Sequence, residues 1–252
     1  MFKKFGISVL AIALTFFIIG GCSSSNNGGG GGGGGSCPET NTSIQACDPV
    51  TGGPFSLEGA NEFFPLDVGN ESVLEGEEIN DEGELVEVRI ESTVLDETEM
   101  VAGVETRVVE EIGFEDGEII EVARDFYAVL PDSTVCYFGE DVDNYEDGMV
   151  VDNDGSWRAG ENGNKPGIIM PGVPQVGQVY MQESAPPIAL DQAENIAQGE
   201  ELVVPFGVFD DTLTVEDCNP LENGKIDVKV YVSGIGTALD ETAELISFEE
   251  GM

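Results

Sequence analysis

The sequence predicts an all-β fold, a curved antiparallel sheet or open half-barrel carrying one short helix. Three observations predict it. Apolar and charged residues alternate through several long runs, Asp-Gly and Asn-Gly pairs separate those runs, and a single stretch carries the proline-first, glycine-last punctuation of a helix.

The alternation is cleanest in "ELVEVRIEST", where Val86, Val88 and Ile90 fall on one face and Glu87, Arg89 and Glu91 on the other. "VETRVVEEIGF" (104–114) follows less cleanly. "EIIEVARDFYAVL" places Ile120, Val122, Phe126, Ala128 and Leu130 on one side, and "TVCYFG" reads as the next strand. In "KIDVKVYVSG" the shared face is Ile226, Val228, Val230 and Val232, and "AELISFEE" closes the sheet. Such alternation marks half-buried antiparallel strands. Asp116-Gly117, Asp147-Gly148, Asp154-Gly155 and Asn223-Gly224 supply the positive φ that tight hairpin turns require. The helix is expected in "PPIALDQAENIAQG", from Pro187 to Gly199, with Ala189, Ala193, Ile196 and Ala197 on one face. "GENGNKPGIIMPGVP" (160–174) reads as an ordered loop wrapping the sheet.

The first 21 residues read as an export signal. Lys3 and Lys4 precede an uncharged apolar run from Phe5 to Ile19, short for a bilayer span. Ile19-Gly20-Gly21-Cys22 resembles the bacterial lipobox, which implies cleavage before Cys22 and lipid attachment to its sulfur. Residues 23–36 are a Ser, Asn and Gly linker with eight consecutive glycines, a flexible stalk of about 20 Å r.m.s. span. The expected organisation is a signal peptide at 1–21, a lipidated Cys22 with its linker to residue 36, a small disulfide loop at 37–52, and one β-rich domain at 53–252. The expected location is the bacterial cell envelope, on the outer membrane or cell surface, anchored through lipid.

After cleavage the chain holds 7 basic and 50 acidic residues, a formal charge of −43. Nucleic acid is excluded as a direct ligand because phosphate binding needs a basic face. An anionic lipid surface repels such a domain, which explains the stalk. The acids are spread throughout, as expected of a solvating surface.

Four cysteines remain beyond Cys22, an even count that reads as two disulfides in an exported chain. Cys37 and Cys47 bracket a short polar loop and are expected to pair, leaving Cys136 with Cys218. There is no CxxC and no histidine, which removes the usual zinc and haem patterns and the His-dependent catalytic triads.

"NEFFPLDVGN", "DFYAVLPDSTVCYFGEDVDNYEDGMVV", "GSWRAGENGNKPGIIMPGVPQVGQVYMQE" and "ELVVPFGVFDDTLTVED" together resemble a recurrent family of secreted bacterial β-rich proteins. The resemblance spans about Asn61 to Leu239 and implies an exported β-rich domain, with no activity attached. Aromatic residues, often Trp, are usual in that family where Cys136 and Cys218 stand, which implies a local bridge between the two.

Candidate sites are few. "VVDNDGSWRAGE" partly matches a calcium loop, with Asp152, Asp154, Gly155 and Glu161 at positions 3, 5, 6 and 12 if Val150 is position 1. Asp141, Asp143 and Asp147 nearby offer further oxygens. The competing reading is a pair of acidic hairpin turns, and it leads. No cofactor other than calcium is suggested. Tyr137, Phe138, Tyr145 and Trp157 could stack on a sugar or peptide, but alternating aromatics in strands are first of all core. Arg158 and Lys165 are expected in internal ion pairs. The leading functional expectation is a membrane-anchored, monomeric, non-enzymatic binding or structural module. Two alternatives are a carrier of lipid or lipoprotein acyl chains, like half-barrels of the LolA type, and a carboxylate-dependent hydrolase. An apolar pocket lined from several strands would favour the carrier.

Overall fold

The computed structural model describes residues 37–59, 61–80, 83–222 and 224–251. The expected signal segment, Cys22 and the expected linker to residue 36 lie outside the described residues. Five strands come first: β1 (Glu71–Ile79), β2 (Leu85–Val101), β3 (Val104–Glu115), β4 (Glu118–Val129) and β5 (Val135–Glu146). Each pairs antiparallel with the next. Asp116-Gly117 and Asp147-Gly148 turn with both residues at positive φ, as their dipeptides predict. β6 (Met149–Asp152) and β7 (Trp157–Arg158) fold back on β5, and β8 (Lys165–Met170) also pairs with β5. Next come β9 (Val179–Met181), β10 (Glu183–Ser184) and β11 (Gln192–Gln198). A separate hairpin of β12 (Leu202–Val204) and β13 (Gly207–Phe209) precedes β14 (Thr212–Asn219), β15 (Lys225–Val232), β16 (Gly236–Asp240) and β17 (Ala243–Glu249). β17 pairs with β1.

The sheet order is β10-β8-β5-β4-β3-β2-β1-β17-β16-β15-β14-β11-β9. Its two ends, β9 and β10, are consecutive pieces of one stretch separated by Gln182 alone. The sheet therefore bends round into a nearly closed, unsealed half-barrel. The seam is thin. Three register pairs join β9 to β11, and two join β10 to β8. Gly167 permits the approach there, because a Cβ at that position would fall 2.3 Å from the Gln182 carbonyl oxygen.

An extended strap, residues 37–59, crosses the seam. Cys37 is bonded to Cys218 on β14. The N–H groups of Asn41 and Thr42 each donate to Val179 O at 3.0 Å, on β9. A 3-10 turn, Ile44–Cys47, capped by Ser43, packs on β8, and Cys47 is bonded to Cys136 on β5. Ser56 then bridges to Val129 at the end of β4, and Phe55 meets Phe138 edge-on at 5.3 Å.

These bonds correct the expected pairing of Cys37 with Cys47 and of Cys136 with Cys218. The strap crosses the seam between its two cysteines, so each reaches a different strand. Cys136 and Cys218 lie on opposite sides of the seam and cannot meet. The segment 37–52 is consequently no self-closed loop. Two other expectations also change. Among the described residues the helical content is two 3-10 turns, Ile44–Cys47 and Pro220–Glu222. The stretch expected as a helix supplies β11, where ladders to β9 and β14 override the helical propensity of its Ala, Gln and Glu residues. The expected loop at 160–174 contains β8.

Directly paired residues on antiparallel neighbours share a face, so the register identifies the lumen. On β4 the inward residues are Glu121, Ala123, Asp125 and Tyr127, with Glu121 and Asp125 each 1% exposed. On β15 they are Lys225, Asp227, Lys229 and Tyr231. On β2 the apolar face, Val86, Val88 and Ile90, points into the lumen, whereas on β4 and β15 the apolar face points outward. Ile226 and Val228 are 52% and 37% exposed. Elsewhere the outer apolar face is covered: Phe138 by Phe55 of the strap, and Phe126 by the Arg158 guanidinium at 4.7 Å.

Candidate functional site: a cavity in the barrel

One end of the barrel is plugged by residues 61–66. Asn61 fixes the plug, donating from Nδ2 to Ser133 O (2.8 Å) and Pro171 O (3.1 Å). Its Oδ1 accepts the N–H groups of Phe63 and Phe64, both at 3.0 Å. Gly234 N–H donates to Glu62 O at 2.8 Å, and Phe64 meets Tyr127 edge-on at 5.0 Å.

Against this plug lies a cavity of about 90 Å³. That is room for about three waters at roughly 30 Å³ each. Leu74 and Ile90 face each other across β1 and β2, and Val94 and Val109 across β2 and β3. Ile169 of β8 and Phe248 of β17 complete an apolar wall contributed by five strands. The opposite corner is polar. Lys229 and Asp240 are register partners, and the Lys229 Nζ sits 3.4 Å from Asp240 and 3.6 Å from buried Asp217. Glu111, opposite Ser92 in the register, faces the same space. So does Gln182 of the seam, 2% exposed, whose Oε1 is buried with no hydrogen-bond partner.

Burial dominates the electrostatics of the lumen. It opposes the Lys229 charge, but Asp240 and Asp217 outweigh it and hold the ammonium well above its ordinary range. Asp217 is pushed up to about 7 by burial, against the pull of Lys229. Glu111 is raised by burial, with Lys229 and a hydrogen bond to Ser92 pulling it down. Asp125 and Glu140 are register partners on β4 and β5, and Tyr137 Oη donates to Asp125 Oδ1 at 2.7 Å. Burial, then their neighbouring carboxyls, lift both well above the usual carboxylate range. This pair does not line the cavity, so it gives the hydrolase expectation no place for a substrate.

No protein-family model matches the chain, and no curated protein or solved structure is similar to it.

The calcium candidates are not brought together. Asp152 Oδ1 accepts Asn144 Nδ2 (2.8 Å) and the Asp154 N–H (3.1 Å), as in an Asx-type turn. Asp141 grips Arg158 through both oxygens, and Asp143 accepts Asn153 Nδ2 at 2.6 Å. Glu161 is exposed in the turn beyond β7. Among the described residues, no group of three or more His, Cys, Asp or Glu could hold a metal ion. The acidic hairpin reading is the one these contacts fit. A shallow depression of about 390 Å³ on the outer face of β4 and β5 includes Asp141 and Asp143, with those same contacts already made.

Tyr137, Phe138 and Trp157 are buried and Tyr145 half-buried, with Tyr137 stacked on Tyr127 at 5.0 Å and edge-on to Trp157 at 5.3 Å. They are core. Arg158 forms the expected ion pairs, with Glu99 at 2.8 Å and Asp141 at 2.5 Å, whereas Lys165 is exposed. The cavity's polar residues escaped the sequence reading. The only signal for Lys229 was its rarity in an acidic chain.

Proposed function

We propose that the chain is a carrier-type binding module whose barrel takes the end of an apolar chain. The apolar wall of the cavity carries this reading. Its volume matches about three carbons at the end of a chain, judged by the waters they would displace. At about 0.8 kcal/mol per buried CH₂, three buried carbons gain at most roughly 2.4 kcal/mol, or a Kd of about 15–20 mM. The expected result is saturable binding of propanol in a millimolar titration followed by NMR. Ile90→Phe should weaken it at least tenfold. The overpacking should cost about 1–3 kcal/mol of stability. Absence of binding by any three- or four-carbon amphiphile would sink the carrier reading.

The sequence supports an envelope location for this module. Ile19-Gly20-Gly21-Cys22 and the glycine stalk lead directly to Cys37. A lipid on Cys22 would therefore tether the barrel through the strap at its seam. Metabolic labelling with a fatty acid should mark the wild type and not Cys22→Ser; equal label in both would refute the anchor.

A further inference from the structure

We propose that Glu183 and Asp191 form a proton-held latch on the seam: a proton shared by the two carboxyls keeps β10 docked on β8, and its loss at alkaline pH parts the barrel there. Such a latch is independent of any ligand in the cavity.

β10 holds to β8 by two register pairs, Glu183 with Pro166 and Ser184 with Lys165. Proline has no N–H, so the ladder at Glu183 lacks one donor. Glu183 is nevertheless 0% exposed, and Asp191, which leads into β11, is 8% exposed. The chain turns back between them and brings the two together. The Asp191 N–H donates to Glu183 Oε1 at 2.6 Å, and the Gln182 N–H donates to Asp191 O at 2.9 Å. Glu183 Oε2 is buried without a hydrogen-bond partner. The Asp191 carboxyl lies within hydrogen-bond reach of the Glu183 carboxyl, and neither brings a donor unless one of them is protonated.

The surrounding charges do not relieve the pair. Glu183 faces Glu140 and Tyr137 of β5. Asp191 faces Glu140, Asp217 of β14, Asp227 and Lys229 of β15, and Glu222 of the second 3-10 turn. Lys229 is the one cation in this set, and it already sits between Asp217 and Asp240. Burial, then Asp191, lift Glu183 well above the usual carboxylate range, against the pull of the Asp191 N–H. Burial raises Asp191 too, but its hydrogen bond with Glu183 pulls it down. Glu183 is therefore the member that keeps the proton, and Asp191 accepts it. An opened seam hydrates both groups and releases that proton, so low pH favours the docked seam and rising pH the open one.

Hydrogen exchange of the disulfide-bonded chain at pH 6 and pH 9, corrected for the intrinsic pH dependence of amide exchange, tests this. Protection at 165–167 and 182–184 should fall at least tenfold further than protection in β2 and β3. Glu183→Gln should abolish that excess, because an amide donates to Asp191 at either pH. Asp191→Asn should abolish it as well, by removing the facing charge, and it keeps the test decisive if Glu183→Gln melts early. Glu146→Gln, on the exposed β5–β6 hairpin, should leave the excess unchanged. A fall at the seam only in step with β2 and β3 would mean a general loss of stability and overturn the latch. So would an excess that survives in Glu183→Gln or Asp191→Asn, or one that Glu146→Gln removes equally.

Discussion

Replacing Cys47 and Cys136 together by alanine lowers the melting temperature by about 10–15 °C and loosens the barrel at its seam. The bridge spans 89 residues of chain, and the Cys37–Cys218 bridge spans 181. In the chain-entropy model each closure stabilises by about 4–5 kcal/mol. At about 2–4 °C per kcal/mol for a chain of this size, the stated shift follows. The structural argument adds where the damage appears. The seam has two register pairs on one side and three on the other, against nine between β1 and β2. The strap is fastened to β14 on one side and β5 on the other, so its two bridges clamp the thinnest part of the sheet. Hydrogen exchange should quicken first at 165–170 and 179–184 in the variant, while β2 and β3 stay protected. A melting temperature within 2 °C of wild type would refute the stabilisation. A large drop with unchanged exchange at 179–184 would show that the bridge acts on the unfolded chain alone and clamps nothing.

The all-β class was legible because alternation and hairpin turn chemistry are local. β2, β5, β15 and β17 stand where their runs of Val, Ile and aromatic residues place them. On β2 the inward face is the apolar one, Val86, Val88 and Ile90, but on β4 and β15 the inward face was not legible. An inward face carrying Glu121, Asp125, Asp217 and Lys229 has the composition of a solvent face, and only the register reveals it. The strap explains why the apolar partner face is not simply exposed, and a strap is a long-range feature. The cysteine partners were hidden for the same reason: 37 and 47 are near in sequence but are drawn apart by β14 and β5. The helix expectation failed at 192–198 because two neighbouring ladders outweighed weak local propensity. The cavity itself had no sequence signature. Leu74, Ile90 and Phe248 would read identically in a filled core.

The same inverted lumen makes the protein lose stability between pH 5 and pH 8, where acid-sensitive proteins gain it. Burial pushes Asp217 and Glu78 up to about 7 and Glu241 up to about 8. In the unfolded chain these carboxyls titrate near 4. Between those limits the folded state keeps protons that the unfolded state has released. Stability then falls as pH rises, and levels off once the folded groups have ionised above about pH 8. Asp125, Glu140 and Glu183, raised mainly by burial, act in the same direction. Lys229 does not oppose them, because Asp240 and Asp217 keep it charged throughout the window. Asp48 has the opposite sign: hydrogen bonds from the Thr51 and Val50 backbone lower it, so its contribution disappears only as pH falls through the ordinary carboxylate range. Repulsion among surface acids also grows with pH, but salt screens it, whereas the buried groups are screened much less. For Asp217 a rise of about three units corresponds to at most roughly 4 kcal/mol. Thermal melts at constant, high ionic strength should therefore show the midpoint falling by about 10 °C from pH 5 to pH 8. Asp217→Asn should flatten that fall by several degrees, since an amide keeps the shape and has no proton to lose. A midpoint that rises or stays level from pH 5 to pH 8 would mean that water reaches these carboxyls and that the lumen is not the desolvated interior the register describes.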